Sequence, residues 1–179
     1  MTHRLSSPPW DIRRLLLEYA YGSVQVDEVL GSLTKGFCAD GCDRLPVGCC
    51  SVLGYDLGVV PEAMLRLQQL EASVQGWSPP SVEDKCKYHG PQGCCLRLFK
   101  SPACAGMLCD ALVDDLRRRH SRGALEAFLG PLARYRNHDL DRAEIFEVMA
   151  EVVAAGRRLE AEPGTATGTA TGEGAHPFI

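Results

Sequence analysis

The chain has 179 residues, 45% of them apolar and 23% charged. That is the size of one domain, and such a chain buries about two thirds of its unfolded surface with no need of a metal or disulfides for size alone. The composition excludes a wholly disordered or collagen-like chain, and a formal charge of -4 excludes a broad attraction to the phosphates of nucleic acid or to anionic lipid.

Ser7 and Pro8 form an N-cap and first-turn pair, and Ile12, Leu15, Leu16 and Tyr19 recur at helical spacing up to Gly22. They predict an amphipathic helix. Val26, Val29, Leu30 and Leu33 predict a second, with Gly36 placed to end it. From Cys38 to Cys50 the run CADGCDRLPVGCC has glycines, a proline and short polar residues, so it reads as a loop whose shape something other than backbone hydrogen bonding fixes. Pro61 starts a third helix, PEAMLRLQQLEA, with Met64 and Leu67 inward, and GWSPPS then breaks the chain. A second cysteine block, CKYHGPQGCCLRLFKSPACAGMLC, is again interrupted by glycine and proline and runs into a helical pattern from Asp110.

Leu112 and Leu116 precede a break at Gly123. Leu125, Phe128, Leu129 and Leu132 then repeat helically around Pro131, which should start a helix or kink one. Asp141 and Glu144 stand in capping-box spacing before a last helix whose stripe of Ile145, Val148, Met149 and Val152 packs rather than catalyses. From about residue 161 a GTAT repeat of small residues has almost nothing to bury, which predicts a disordered tail. The expected architecture is mainly α: a single small helical domain over 1–160 with two irregular Cys-rich metal-binding loops forming a Cys-cluster core at 38–109, and a disordered Gly/Thr/Ala tail over 161–179.

The N-terminal segment carries Asp11, Arg13, Arg14 and Glu18 where a signal peptide needs an uninterrupted apolar stretch. The longest uncharged stretch in the middle of the chain, Leu45 to Tyr55, is far shorter than the roughly 20 residues of a membrane span. The expectation is a cytoplasmic protein in a reducing compartment, with a metal ion as partner and neither nucleic acid nor membrane.

The informative feature is nine cysteines, Cys38, Cys42, Cys49, Cys50, Cys86, Cys94, Cys95, Cys104 and Cys109, all within 72 residues. Their spacing is C-x3-C-x6-C-C and, thirty-five residues later, C-x7-C-C-x8-C-x4-C. The absence of any C-x2-C argues against a zinc ribbon, a thioredoxin motif or a ferredoxin run. Two blocks of thiols on two loops nevertheless suit a closed thiolate shell. Adjacent cysteines diverge in an extended chain, so Cys49-Cys50 and Cys94-Cys95 can serve two metal centres or opposite sides of one cluster. All four lysines, Lys35, Lys85, Lys87 and Lys100, lie within four residues of a cysteine, where a cation lowers thiol pKa and offsets thiolate charge. Small buried hydrophobes account for one or two thiols but not for paired dipeptides in Gly/Pro-rich loops. Disulfides fit an odd count poorly.

His89, between Cys86 and Cys94, is a ligand, an outer-shell donor or an exposed loop residue; His120 and His138 sit in polar helix-end contexts without a role. No phosphate loop, nucleophile elbow or HExxH occurs, and Arg117, Arg118, Arg119 and Arg122 read as a solvated helix face.

The second block, with Cys86-Lys-Tyr, Gly93-Cys94, Ser101-Pro102, Cys104 and Cys109, resembles the pattern C-x-[FY]-L...G-x-C-x-[IL]-Y-x-x-R-P-x-x-C-R-x-F-x-C of the zinc- or iron-chelating cysteine-cluster family of YkgJ type. Cys38, Cys42, Gly48, Cys49 and Cys50, followed by Pro61-Glu62-Ala63, take the places of that family's C-x2-C-G-x-C-C loop and the helix after it. Here the first loop has wider gaps, Ser101 replaces the family's arginine, and either Cys94 or Cys95 occupies the single cysteine position. The resemblance implies metal binding through eight thiolates, with zinc or iron as cofactor, the iron as an ion or within an iron-sulfur cluster, and no established reaction. A metal-chelating, non-enzymatic protein is the leading expectation. An iron-sulfur redox or electron-transfer protein and a metal-free thiol redox-sensor or interaction module are the alternatives.

Overall fold

A computed structural model describes residues 9–38, 62–78, 86–90, 93–137 and 144–162. Among them the chain is mainly helical: α1 (Pro9–Gly36), α2 (Glu62–Val74), α3 (Pro102–Ala105), α4 (Asp110–Arg119), α5 (Arg122–Arg136) and α6 (Glu144–Ala161). A two-residue antiparallel pairing of β1 (His89–Gly90) with β2 (Gly93–Cys94) lies between α2 and α3. The expected tail beyond residue 162, most of the first cysteine loop, and His138 and Asp141 lie outside the described residues.

The two helices expected on either side of Gly22 are one continuous helix of 28 residues. Gly22 does not break it, because the missing side chain serves close packing. A Cβ there would stand 2.8 Å from Met149 Sδ on α6, and a Cβ at Gly156 of α6 would stand 2.1 Å from Val29 Cγ1 on α1. Seven residues separate the two contact points on each helix, so α1 and α6 run parallel and touch most closely where one of them has glycine. A glycine inside a helix costs up to about 1 kcal/mol of propensity, which this approach offsets through dispersion and burial.

α5 runs antiparallel to α6. Ser121 at its start meets Glu162 at the end of α6, and Arg134 near its end pairs with Glu151. Val26, Val29, Leu33, Phe128, Leu132, Val152 and Leu159 fill the space between the three helices, with Leu112 and Leu116 of α4 closing one side. The apolar residues read as inward on α4, α5 and α6 are buried, Leu129 being partly so. The first two turns of α1 depart from the reading: Ile12 and Leu15 are exposed, and burial on that helix begins at Leu16 and Tyr19.

Two punctuation marks also fall elsewhere. The break after α4 lies at His120–Ser121 rather than Gly123, because the Ser121 hydroxyl accepts from the Ala124 amide and caps α5. Of the two roles expected of Pro131, starting a helix does not hold: it lies inside α5, past the first two turns. No described helix is long and apolar enough to cross a membrane.

Candidate functional site

The second cysteine block is built on a short hairpin and held by residues that are not cysteines. His89 pairs with Cys94 and Gly90 with Gly93, and the Cys95 amide donates to the Tyr88 carbonyl at 2.8 Å. Tyr88 and Leu96 are buried with Ala72 of α2 in an apolar cluster separate from the helical core. Cys86, Cys94, Cys95 and Trp77 pack around that cluster. Three thiols of the nine, from both arms of the hairpin, are thereby gathered on one small apolar base, and both members of the Cys94-Cys95 dipeptide belong to it.

α2 fixes this unit through polar groups on its inward face. Met64, Gln68, Glu71 and Ala72 are its buried residues, whereas Leu67, expected inward, is only half-buried. Glu71 Oε1 accepts the amides of Arg97 and Leu98, and Oε2 accepts that of Phe99 at 2.9 Å. Gln68 Nε2 donates to the Phe99 carbonyl at 2.9 Å, and Trp77 Nε1 donates to the Lys87 carbonyl at 2.9 Å. α1 holds the same segment from another direction. Tyr19 stacks on Phe99 with ring centroids 6.5 Å apart and donates from its hydroxyl to the Lys100 carbonyl at 2.7 Å, while Asp27 pairs with Lys100. Residues 97–100 are therefore clamped between two helices, one residue beyond the Cys94-Cys95 pair and directly before Ser101, which caps α3.

The remaining described cysteines sit apart from the small cluster. Cys38 is exposed, just past the end of α1; Cys104 is exposed on α3; Cys109 occupies the N-cap position of α4 and packs on the helical core. Cys42, Cys49 and Cys50 lie outside the described residues, as does Lys85. No disulfide joins any two of the six described cysteines. Among the described residues no three His, Cys, Asp or Glu side chains are arranged to hold an ion. The sulfur donors suit a thiophilic cation in kind, but the described residues do not by themselves complete a shell.

Electrostatics at the hairpin are mixed. Burial pushes the Cys95 thiol up, the charges of Glu71 and Cys86 add to that, and a backbone hydrogen bond and Lys100 oppose it. Without a metal, Cys95 is therefore a protonated thiol rather than a reactive thiolate. Of the lysines expected to offset thiolate charge, Lys100 is engaged with Asp27 and Lys87 lies over the Tyr88 ring at 5.2 Å. The arginine cluster is the solvated face expected of it, with Arg117, Arg118 and Arg122 each in an exposed pair on its own helix. Arg119 also reaches the Leu33 carbonyl of α1 at 3.0 Å. A groove of about 390 Å³ lined by Arg117, Arg122, Leu125, Glu126 and Leu129 holds no cysteine.

Sequence reasoning placed the thiols but missed the clamp. Its one legible signal was the spacing of Met64, Gln68 and Glu71, which marks a helical stripe with two polar members. Comparisons with protein-family models, with curated proteins and with solved structures find no match to this chain.

Proposed function

We propose that the protein is a metal-chelating cysteine-cluster protein that binds zinc or iron through thiolates drawn from both cysteine blocks, as its resemblance to the YkgJ-type family implies. The observation that carries this reading is the gathering of Cys86, Cys94 and Cys95 around one small apolar cluster whose backbone is pinned by Glu71, Gln68 and Trp77. Three thiols on a loop with so little core of its own suit a site whose remaining energy comes from the ion, since metal binding is folding energy in small thiolate sites. The missing donors are assigned to Cys42, Cys49 and Cys50 of the first block and to Cys38, Cys104 and Cys109.

Anaerobic purification followed by elemental analysis, a visible spectrum and thiol titration tests this. Zinc leaves the protein colourless, whereas an iron-sulfur cluster makes it brown with acid-labile sulfide. Fewer than nine thiols should titrate in the native protein, and all nine after acid or a chelator removes the ion. Nine freely titrating thiols with no bound metal would sink the proposal.

A further inference from the structure

We propose, on the strength of the metal-chelating reading, that Glu71 is the positioning residue of the second cysteine block, setting the path of residues 97–99 that joins Cys94-Cys95 to Cys104 and Cys109. Its carboxylate receives three successive amides, those of Arg97, Leu98 and Phe99. In an extended strand neighbouring amides point to opposite edges. Three that converge on one anion require a curled backbone, as the bend at 97–98 provides, and the anion holds the curl. Glu71 is only 6% exposed, and its Oε1 also accepts a 3.1 Å hydrogen bond from Gln75 Nε2. A buried carboxylate is an expensive way to fill space, because an apolar residue of similar volume stabilises as much or more. Its presence is explained by the one thing an apolar residue cannot do, which is to hold three donors in a row.

The placement gives that work a target. The curl begins two residues after Cys95 and ends two residues before Ser101, the cap of the helix that carries Cys104. Gln68 takes the carbonyl of the last curled residue, so α2 grips the link by both its donors and one acceptor. A change of path at 97–99 therefore rotates the hairpin thiols relative to Cys104 and Cys109, while α1 holds the same link through Tyr19 on Phe99 and Asp27 on Lys100.

Full-length Glu71→Ala and Glu71→Gln, titrated with cobalt(II) and followed by thiolate-to-cobalt absorption, test the assignment beside helix content and amide exchange at 97–99. Glu71→Ala should bind cobalt about tenfold more weakly or worse and exchange those amides faster at unchanged helix content. Glu71→Gln keeps a carbonyl acceptor and should fall between the two. Parental cobalt affinity in Glu71→Ala overturns the assignment and leaves the metal reading standing, whereas no thiolate-to-cobalt absorption in the parent removes both. If Glu71→Ala loses helix, Glu71→Gln decides: weaker binding with full helix content supports the role, and parental binding overturns it. Loss of helix in both variants overturns it as well, since Glu71 would then serve the whole fold instead of this link.

Discussion

The bundle of α1, α5 and α6 and the hairpin unit of residues 86–90 and 93–100 are both held by α1, but by different kinds of force. The bundle is held mainly by apolar contact, with polar pairs at its edges. Phe128, Val26, Val152 and Leu159 are fully buried, and glycine at 22 and 156 lets two parallel helices close on each other. The hairpin unit rests on three buried residues, Ala72, Tyr88 and Leu96, and otherwise depends on side chains that grip backbone groups: Glu71, Gln68, Trp77 and Tyr19. The first kind of region rests on its own packing. The second is a shaped backbone with thiols attached, and in the proposed reading an ion supplies what packing does not.

The largest effect that sharpens this contrast is expected from Phe128→Ala. Phe128 is fully buried among α1, α5 and α6, and its ring lies 3.3 Å from the place a Cβ would take at Gly156. Truncation should cost about 3–5 kcal/mol by lost burial and a residual cavity, read as a fall in denaturant midpoint. If metal content per folded molecule stays at the parental value, the two regions are energetically separate. A proportional loss of metal in the still-folded fraction would show that the division drawn here is false.

The bundle was legible in the sequence because its signal is periodic and local. Leu112, Leu116, Leu125, Phe128, Leu132, Ile145, Val148, Met149 and Val152 are buried as their spacing predicts. Gly22 was misread as an end because a glycine's local meaning is a stop, while its tertiary meaning depends on Met149, far along the chain. Leu67 reads as inward, and Gln68 and Glu71 do not, for a related reason. Polarity argues for solvent unless a partner is known, and the partners here are backbone amides and a carbonyl 26 to 31 residues away. Backbone groups are present at every residue, so no spacing of side chains announces where they will be used. The thiols, by contrast, announce themselves by type, which is why the candidate ligands were visible and the side chains that grip the backbone beside them were not.

A smaller, local effect is expected from Trp77→Phe. The substitution keeps an aromatic ring on the cluster with Tyr88 and Leu96 but deletes the 2.9 Å donor to the Lys87 carbonyl. It should cost about 1 kcal/mol, and the cost should appear as faster amide exchange at Cys95, whose donor bond to Tyr88 closes the hairpin. The global midpoint should hardly move. Equal loosening of amides in α5 and α6 would mean that hairpin and bundle open as one unit.

The smallest expected effect tests the far end of the bundle, where a polar group was given no role by its sequence context. His120 follows α4, and its side chain is only 9% exposed, with Nδ1 3.9 Å from Glu162 Oε2. Burial, and next the charge of Arg119, hold its pKa below the ordinary 6.5, while Glu162 and Asp115 pull the other way. The native imidazole is therefore neutral where the unfolded one still accepts a proton. Stability from this site is fully present above the unfolded pKa and is lost as pH falls below it toward the lowered native value. Chemical denaturation from about pH 7.5 to about 5.5, a window above ordinary carboxylate titration, should show the parent losing stability and His120→Gln giving a flatter line. A parent that gains stability as pH falls would mean that the Glu162 carboxylate outweighs burial, and that this corner is a latent ion pair rather than a dry joint between α4, α5 and α6.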